Sequence, residues 1–418
     1  MTPPLLYNRK EYIGYFRKKP FIWTLTLVLG VSLYFGLPSL FKTSYQAPLP
    51  AAAIKSVTET AQAPAVIHLP TPKPQKAIYM TSCVAGTPSF RGELVKLIEE
   101  TELNSIIIDI KDYTGTLSFN PKSEKLKEFV STKCMAPDMK EFVEKLHEKG
   151  VYVIGRITVF QDPFLAKRRS DLAVKKASDG SIWKDYKGIS FTDPGSKEVW
   201  EHTALISEEA YAIGFDELNF DYIRFPSDGP TTDIAFPWSK NRVKSDVLEE
   251  FFKYLSERLR PLGIIISADV FGMTTTNTDD LNIGQVLEKV APYFDYVSPM
   301  VYPSHYPPDF NGWTNPNAHP YDIVKFSMDS AVKRFLATTT VVALAGIEPI
   351  ASTTPPLYPK KAWHVEKLRP WLQDFDYGGN YDIAEVRAQI TAVYDAGLTS
   401  WMLWAPSNRY TKEALLPE

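Results

Sequence analysis

From Ala77 onward, short apolar runs rich in β-formers alternate with amphipathic helical segments, and no other feature of this 418-residue chain restricts its fold as much. Alternation of this kind marks parallel β/α units, because a crossover helix must separate two parallel strands. Eight runs read as strands: AIYMTSCVAG (Ala77 to Gly86), SIIIDIKD (Ser105 to Asp112), VYVIGRITVF (Val151 to Phe160), DELNFDYIRFP (Asp216 to Pro226), IIISADVFG (Ile264 to Gly272), YVSPMVYP (Tyr296 to Pro303), KLRPWLQDF (Lys367 to Phe375) and TSWMLWAP (Thr399 to Pro406). Between them FRGELVKLIEETE, DMKEFVEKLHEKG, KEVWEHTALISEEAYAIG, DVLEEFFKYLSERLR and DIAEVRAQITAVYDAG read as helices. Another run, TTTVVALAGIEP (Thr338 to Pro349), competes for the seventh place. We assign it to an insertion, since RPWLQDF carries more polar groups at a strand end. The pattern predicts a (β/α)8 TIM barrel with enlarged loops over residues 76–418.

The fourth strand is unusually charged. In GFDELNFDYIRFPSDGP (Gly214 to Pro230), the two-residue period puts Leu218, Phe220 and Tyr222 on one face and Glu217, Asn219 and Asp221 on the other. The apolar set suits the outer helices, so the polar set points into the barrel, where unpaired carboxylates are costly unless bonded or functional. The same parity turns Asp109 and Lys111, Arg156 and Thr158, Ser267 and Asp269, Ser298 and Tyr302, and Trp371 and Gln373 inward. These polar groups lie toward the C-terminal halves of their strands, where barrel enzymes build their sites. A buried ion-pair network is the structural alternative, with Lys111 or Arg156 neutralising a neighbouring carboxylate.

Inward carboxylates among aromatic side chains suit sugar recognition and glycosidic cleavage, which needs one ionised and one protonated carboxyl group. Asp221 and Asp269, on neighbouring strands, are the best pair. Adjacent strands lie about 4.8 Å apart, close to the roughly 5 to 5.5 Å carboxyl spacing of retaining enzymes. Asp221 is then the nucleophile, held ionised by Arg224 or Arg156, and Asp269 the acid/base, its pKa raised by the apolar run ADVFG. Glu217 lies deeper and reads as structural. Asp109, Asp112 and Asp374 are candidates for binding sugar hydroxyls, and Asp109 or Asp374 is an alternative for one catalytic role. Lys111, Arg156, Asn219, Arg224, Tyr302, His305 and Gln373 complete the expected substrate contacts, with Trp371 and Trp404 as sugar platforms. There is no G-x-S-x-G, H-E-x-x-H or C-x-x-C motif and no phosphate-cradling glycine loop. No metal ligand set or cofactor is expected, and a metal-dependent deacetylase lacks its His/Asp cluster. Net charge is −3 with scattered cations, which argues against nucleic acid as a partner.

Upstream, FIWTLTLVLGVSLYFGLPSLF (Phe21 to Phe41) is uncharged for about the ~20 residues a spanning helix needs. It follows Arg9, Lys10, Arg17, Lys18 and Lys19, which predicts a cytoplasmic tail over 1–20, a transmembrane anchor over 21–41 and an extracytoplasmic remainder. A cleaved signal peptide, with Ala51-Ala52-Ala53 near the cut, is the competing reading and gives a secreted protein. Residues 42–75, rich in Pro and Ala, read as a flexible linker. Cys83 and Cys134 are the only cysteines, and a disulfide or two independent thiols both remain open.

The motifs GFDELNFDYIRFPSDG, SADVFGMTT, YVSPMVYPSHY, RPWLQDF and MLWAPSNRY resemble a bacterial family of glycosyl hydrolase domains, itself similar to α-amylase and α-galactosidase barrels. The resemblance runs from about Lys76 to Tyr410. It implies a TIM barrel and a hydrolase, with Asp221 in FDYIRFP at the nucleophile position on strand four and Asp269 at the acid/base position on strand five. Amylases carry Glu at the latter position, and this chain has the shorter Asp. The segment from Ser327 to Val365 is longer than the family's usual connection, which implies a role in shaping the cleft. The expected activity is hydrolysis of an envelope or extracellular polysaccharide; the alternative is a non-catalytic carbohydrate-binding barrel acting as an envelope scaffold.

Overall fold

The computed structural model describes residues 66–351 and 353–417. Eight parallel strands close into one barrel: β1 (Lys76–Met80), β2 (Ser105–Lys111), β3 (Tyr152–Thr158), β4 (Glu217–Asp221), β5 (Ile265–Phe271), β6 (Tyr296–Met300), β7 (Trp371–Gln373) and β8 (Trp401–Trp404). Each pairs with its sequence neighbours, and β1 closes the ring on β8. Trp371–Gln373 does occupy the seventh place. Of the competing run only Thr339–Thr340 is extended, in a two-residue antiparallel ladder with Tyr358–Pro359 outside the barrel.

Six longer helices cover the barrel: α1 (Pro88–Glu99), α2 (Met139–Glu148), α3 (Lys197–Tyr211), α4 (Lys244–Leu259), α5 (Pro320–Leu336) and α6 (Ile383–Asp395). Their formation follows from local chemistry. In α2, Met139, Phe142, Val143 and Leu146 recur at helical spacing and form its buried face. Helix α6 opens with a capping box between Asp382 and Glu385. Outward strand residues such as Ile106, Ile108, Val153, Leu218, Phe220 and Ile266 meet these faces in the main core. Inside the barrel a second cluster of Ala77, Tyr79, Ile107, Tyr152, Ile154, Tyr302, Trp371 and Met402 fills the space between strands.

The barrel floor is polar. Glu217 accepts from Tyr152 Oη at 3.1 Å and pairs with Arg369 at 2.9 Å, so this carboxylate is structural, as its depth suggested. Residues 66–75, assigned from composition to the linker, instead run against that end of the barrel. Leu69 N donates to Asp216 Oδ1 at 2.6 Å, Thr71 Oγ1 lies 3.0 Å from Tyr152 Oη, and His68 stacks on Tyr211. Composition could not show this, because the partners of these residues come from distant strands and helices that only the folded barrel brings to them. Among the described residues no helix is long and apolar enough to cross a membrane; the span expected at 21–41 lies outside them.

Cys83 and Cys134 form a disulfide that ties the short helix Ser82–Ala85 to the loop before α2. It closes a sequence separation of 51 residues, for which chain-entropy reasoning gives about 4 kcal/mol at most. Replacing both cysteines with Ala is expected to lower unfolding stability by about 2–4 kcal/mol in chemical denaturation, with the same final unfolded state. A change below about 0.5 kcal/mol would show that the bond does not constrain the unfolded chain.

Candidate active site

At the C-terminal ends of β2 to β5 three carboxylates converge on one guanidinium. Arg156, on β3, sits between Asp109 of β2 and Asp221 of β4. Its Nη1 is 2.5 Å from Asp109 Oδ1, its Nη2 pairs with Asp221 Oδ2, and its Nε lies 3.9 Å from Asp269 Oδ2 on β5. Strand register explains the grouping: Asp109 is level with Arg156, and Thr158 with Asp221. Arg156 also lies 4.9 Å from the Trp404 ring and 5.6 Å from that of Tyr79.

Asp269 is the most constrained of the three. Its Oδ1 accepts from Asn219 Nδ2 and from Trp371 Nε1, both at 2.8 Å. Burial, reinforced by the charge of Asp221, pushes its pKa well above the usual carboxylate range against the opposing pull of Arg156. Asp109 is pushed up to about 6 by burial, opposed by Arg156 and by the hydroxyl of Tyr79, which donates to it. Asp221 Oδ1 accepts from the backbone N–H of Tyr222 at 2.5 Å. Tyr222 leaves the strand in the left-handed region, with φ 52°, a costly conformation for an aromatic residue directly after a candidate nucleophile. It therefore departs from the outward pattern of Leu218 and Phe220.

Not every expected residue joins this group. The β2–β3 ladder is irregular between Asp109 and Lys111, so Lys111 comes level with Ile157 rather than an inward residue. Parity had turned it inward; instead its Nζ pairs with buried Asp162 at 2.8 Å and donates to Thr158 O. Arg224 pairs with Asp228 at 3.0 Å and packs over Phe271, leaving Arg156 as the partner of Asp221. Gln373 is committed to structure: its Oε1 accepts from Ser304 N and Oγ, and its Nε2 donates to Phe375 O. Trp371 is fully buried, so it holds Asp269 and offers no platform. Asp112 accepts from Ser82 Oγ and Thr114.

Beside this group opens a cavity of about 630 Å³, whose lining does not include Asp109, Asp221 or Asp269. Tyr302 and Trp404 form its link to the cluster, and His305, Asp374, Phe375, Tyr377 and Tyr381 line its wall. Trp404 stacks on Tyr79 at 3.9 Å and meets Trp371 edge-on. Tyr302 is buried near Asp269 and Asp221, which with burial raise its pKa. Burial and the charge of Lys187 lower that of His305. No described residue between Ser327 and Val365 lines this cavity, contrary to the expected role of the long segment in shaping the cleft. The chemistry available is that of a carboxyl group whose pKa is raised, beside an Arg-paired one and near an aromatic-walled opening. Lys187, Tyr377, Tyr381 and Arg409, which also line it, were not anticipated, because they lie on loops outside the strand period. Among the described residues no group of three His, Cys, Asp or Glu side chains is placed to hold a metal ion.

A family model described as "Putative glycosyl hydrolase domain" matches residues 77–410. No curated protein matches the sequence. Among solved structures, the PgaB (BpsB) glycoside hydrolase domain from Bordetella bronchiseptica is 13% identical over 82% of this chain and 99% of that one, with a TM-score of 0.56, a likeness of fold. A hypothetical protein from Ruminiclostridium thermocellum is 31% identical over 46% of this chain and 97% of that one, with a TM-score of 0.42. An α-galactosidase from Thermus thermophilus is 12% identical over 82% and 60%, with a TM-score of 0.46.

Proposed function

We propose that this chain, which belongs to the family of glycosyl hydrolase domains matched over residues 77–410, cleaves an O-glycosidic bond of an envelope or extracellular polysaccharide with retention of configuration. One observation carries the reading: Asp221 at the end of β4 and Asp269 in the C-terminal half of neighbouring β5 share the Arg156 guanidinium, while burial and the Asp221 charge raise the pKa of Asp269 and so favour its protonated form. In the first step Asp269 gives that proton to the glycosidic oxygen as the bond to the anomeric carbon breaks, and Asp221 bonds to that carbon. Asp269, now ionised, then takes a proton from water, which displaces Asp221. Sharing one guanidinium supports the short carboxyl spacing of retaining chemistry.

An extracytoplasmic location is supported by the disulfide, which persists in oxidising compartments, and by the uncharged run Phe21 to Phe41 behind a basic tail. A second reading, a carbohydrate-binding barrel without turnover, is favoured by the closure of the cluster. Asp109, Asp221 and Asp269 are all at most 5% exposed.

The two readings separate when the protein is offered bacterial envelope glycans and α- and β-glucans, with products read by mass spectrometry. Hydrolysis predicts fragments from the wild type and none above background from Asp221→Asn. Retention of a glycan by both proteins without cleavage would establish the binding barrel. NMR of the first-formed anomer tests retention, and an inverted product would rule it out.

A further inference from the structure

The two side-chain oxygens of Asp269 have different surroundings. Oδ1 accepts from Asn219 Nδ2 and from Trp371 Nε1, both at 2.8 Å, so an N–H group occupies each of its lone pairs. Among the described residues no hydrogen bond reaches Oδ2, which faces Arg156 Nε at 3.9 Å. That Nε is itself buried and without a hydrogen-bond partner.

The fold builds this asymmetry from two sides. Trp371 lies on β7, two strands from Asp269, and the strand between them offers only Ser298 level with Asp269. A side chain that small leaves room for the indole to cross the barrel interior, where it is fully buried and edge-on to Trp404. An indole N–H only donates, so it serves Oδ1 as an acceptor and never takes a proton from it. Asn219, 1% exposed, commits its amide hydrogens to Ser267 Oγ at 3.1 Å and to Asp269 Oδ1. In a protonated carboxyl group the carbonyl oxygen is the better acceptor, so the oxygen that takes two N–H donors is the carbonyl one.

We propose that Trp371 and Asn219 are positioning residues for the acid: by filling Oδ1 they place the proton of Asp269 on Oδ2, the oxygen turned toward the guanidinium shared with Asp221. The assignment rests on the reading of Asp269 as the proton donor and names the atom that delivers the proton. Both donors also favour the ionised form of Asp269, against its burial, and so ease release of the proton when the glycosidic bond breaks.

Infrared difference spectra of the full-length protein test the placement without any substrate. At pH 5, where ordinary carboxylates are largely ionised, subtracting Asp269→Asn isolates the C=O stretch of the protonated Asp269 carboxyl group. With the proton on Oδ2 the carbonyl is Oδ1, whose frequency each N–H donor lowers. Trp371→Phe removes one donor and keeps an aromatic ring, so the band should rise in frequency. Asn219→Ala should raise it through the other donor, and carries the test if Trp371→Phe does not fold. With the proton on Oδ1 the carbonyl would be Oδ2, and neither substitution would move the band. A band unmoved in the folded variants, or no band lost in Asp269→Asn, would overturn the proposal. On a cleaved glycan, the alkaline limb of the pH profile should move upward in the same variants, which a merely structural role would leave in place. A shifted band in a protein that cleaves no glycan upholds the placement while hydrolysis falls. Glycan fragments with an unmoved band leave hydrolysis standing and remove the placement.

Discussion

Asp269→Asn is expected to lower kcat on the polysaccharide by about 10²–10⁴-fold, the usual contribution of a positioned general acid. The loss should shrink strongly on an aryl glycoside of the same sugar, because a good leaving group departs without protonation. The pH profile gives a second readout. The acid must hold its proton in the first step, so wild-type activity falls as pH rises through the raised pKa of Asp269. That alkaline limb should vanish in the Asn variant. Asn keeps an oxygen to accept from Asn219 and Trp371, so the fold is not at stake. Equal losses on both substrates, with the alkaline limb unchanged, would remove Asp269 from the acid role. The candidate would then be Asp109, whose pKa of about 6 also leaves it partly protonated near neutrality, and Asp109→Asn would show the leaving-group dependence instead.

The barrel and the core of its site were legible in the sequence because both depend on the two-residue period of a strand. Glu217, Asn219 and Asp221 alternate with Leu218 and Phe220, and no other parity would bury the apolar set against the helices. The seventh strand was legible for a related reason: RPWLQDF places polar side chains where a barrel interior needs them, as Arg369 on the floor and Gln373 at the top confirm. Parity misled wherever the backbone left the regular pleat. One irregularity in the β2–β3 ladder sufficed to take Lys111 to Asp162, and a left-handed Tyr222 followed Asp221. Nor does the pattern distinguish a side chain that touches the ligand from one that holds such a group. Trp371 and Gln373 both face inward, yet one donates to Asp269 and the other fastens Ser304. Lys187 and Arg409 were missed because loop residues carry no period, and only the folded loops bring them to one cavity.

Arg156→Met should be the most damaging substitution in the barrel, lowering stability at pH 7 by about 3–5 kcal/mol, the usual effect of removing one partner from a buried charge network. Three carboxylates would then share an almost dry space without a cation, although the volume of the side chain is nearly conserved. The pH dependence identifies the cause. In the wild type Asp109 titrates near 6 when folded, against about 3.9 in an unfolded chain, so the folded state binds more protons between these values. Its contribution is therefore fully present below about pH 4 and is lost as pH rises through about 6. Without Arg156 the folded-state values of Asp109 and Asp269 move still higher, since the guanidinium is what lowers them now. The stability deficit of the variant should accordingly narrow as the pH is taken from 8 to 4.5, when the carboxyl groups become neutral and bond one another. A cavity or a packing defect would give the same deficit at every pH, and denaturant titrations across that range distinguish the two. Arg156→Lys should restore part of the stability by returning one positive charge, but little of the turnover. An ammonium cannot span Asp109 and Asp221 in the plane that the guanidinium imposes on them.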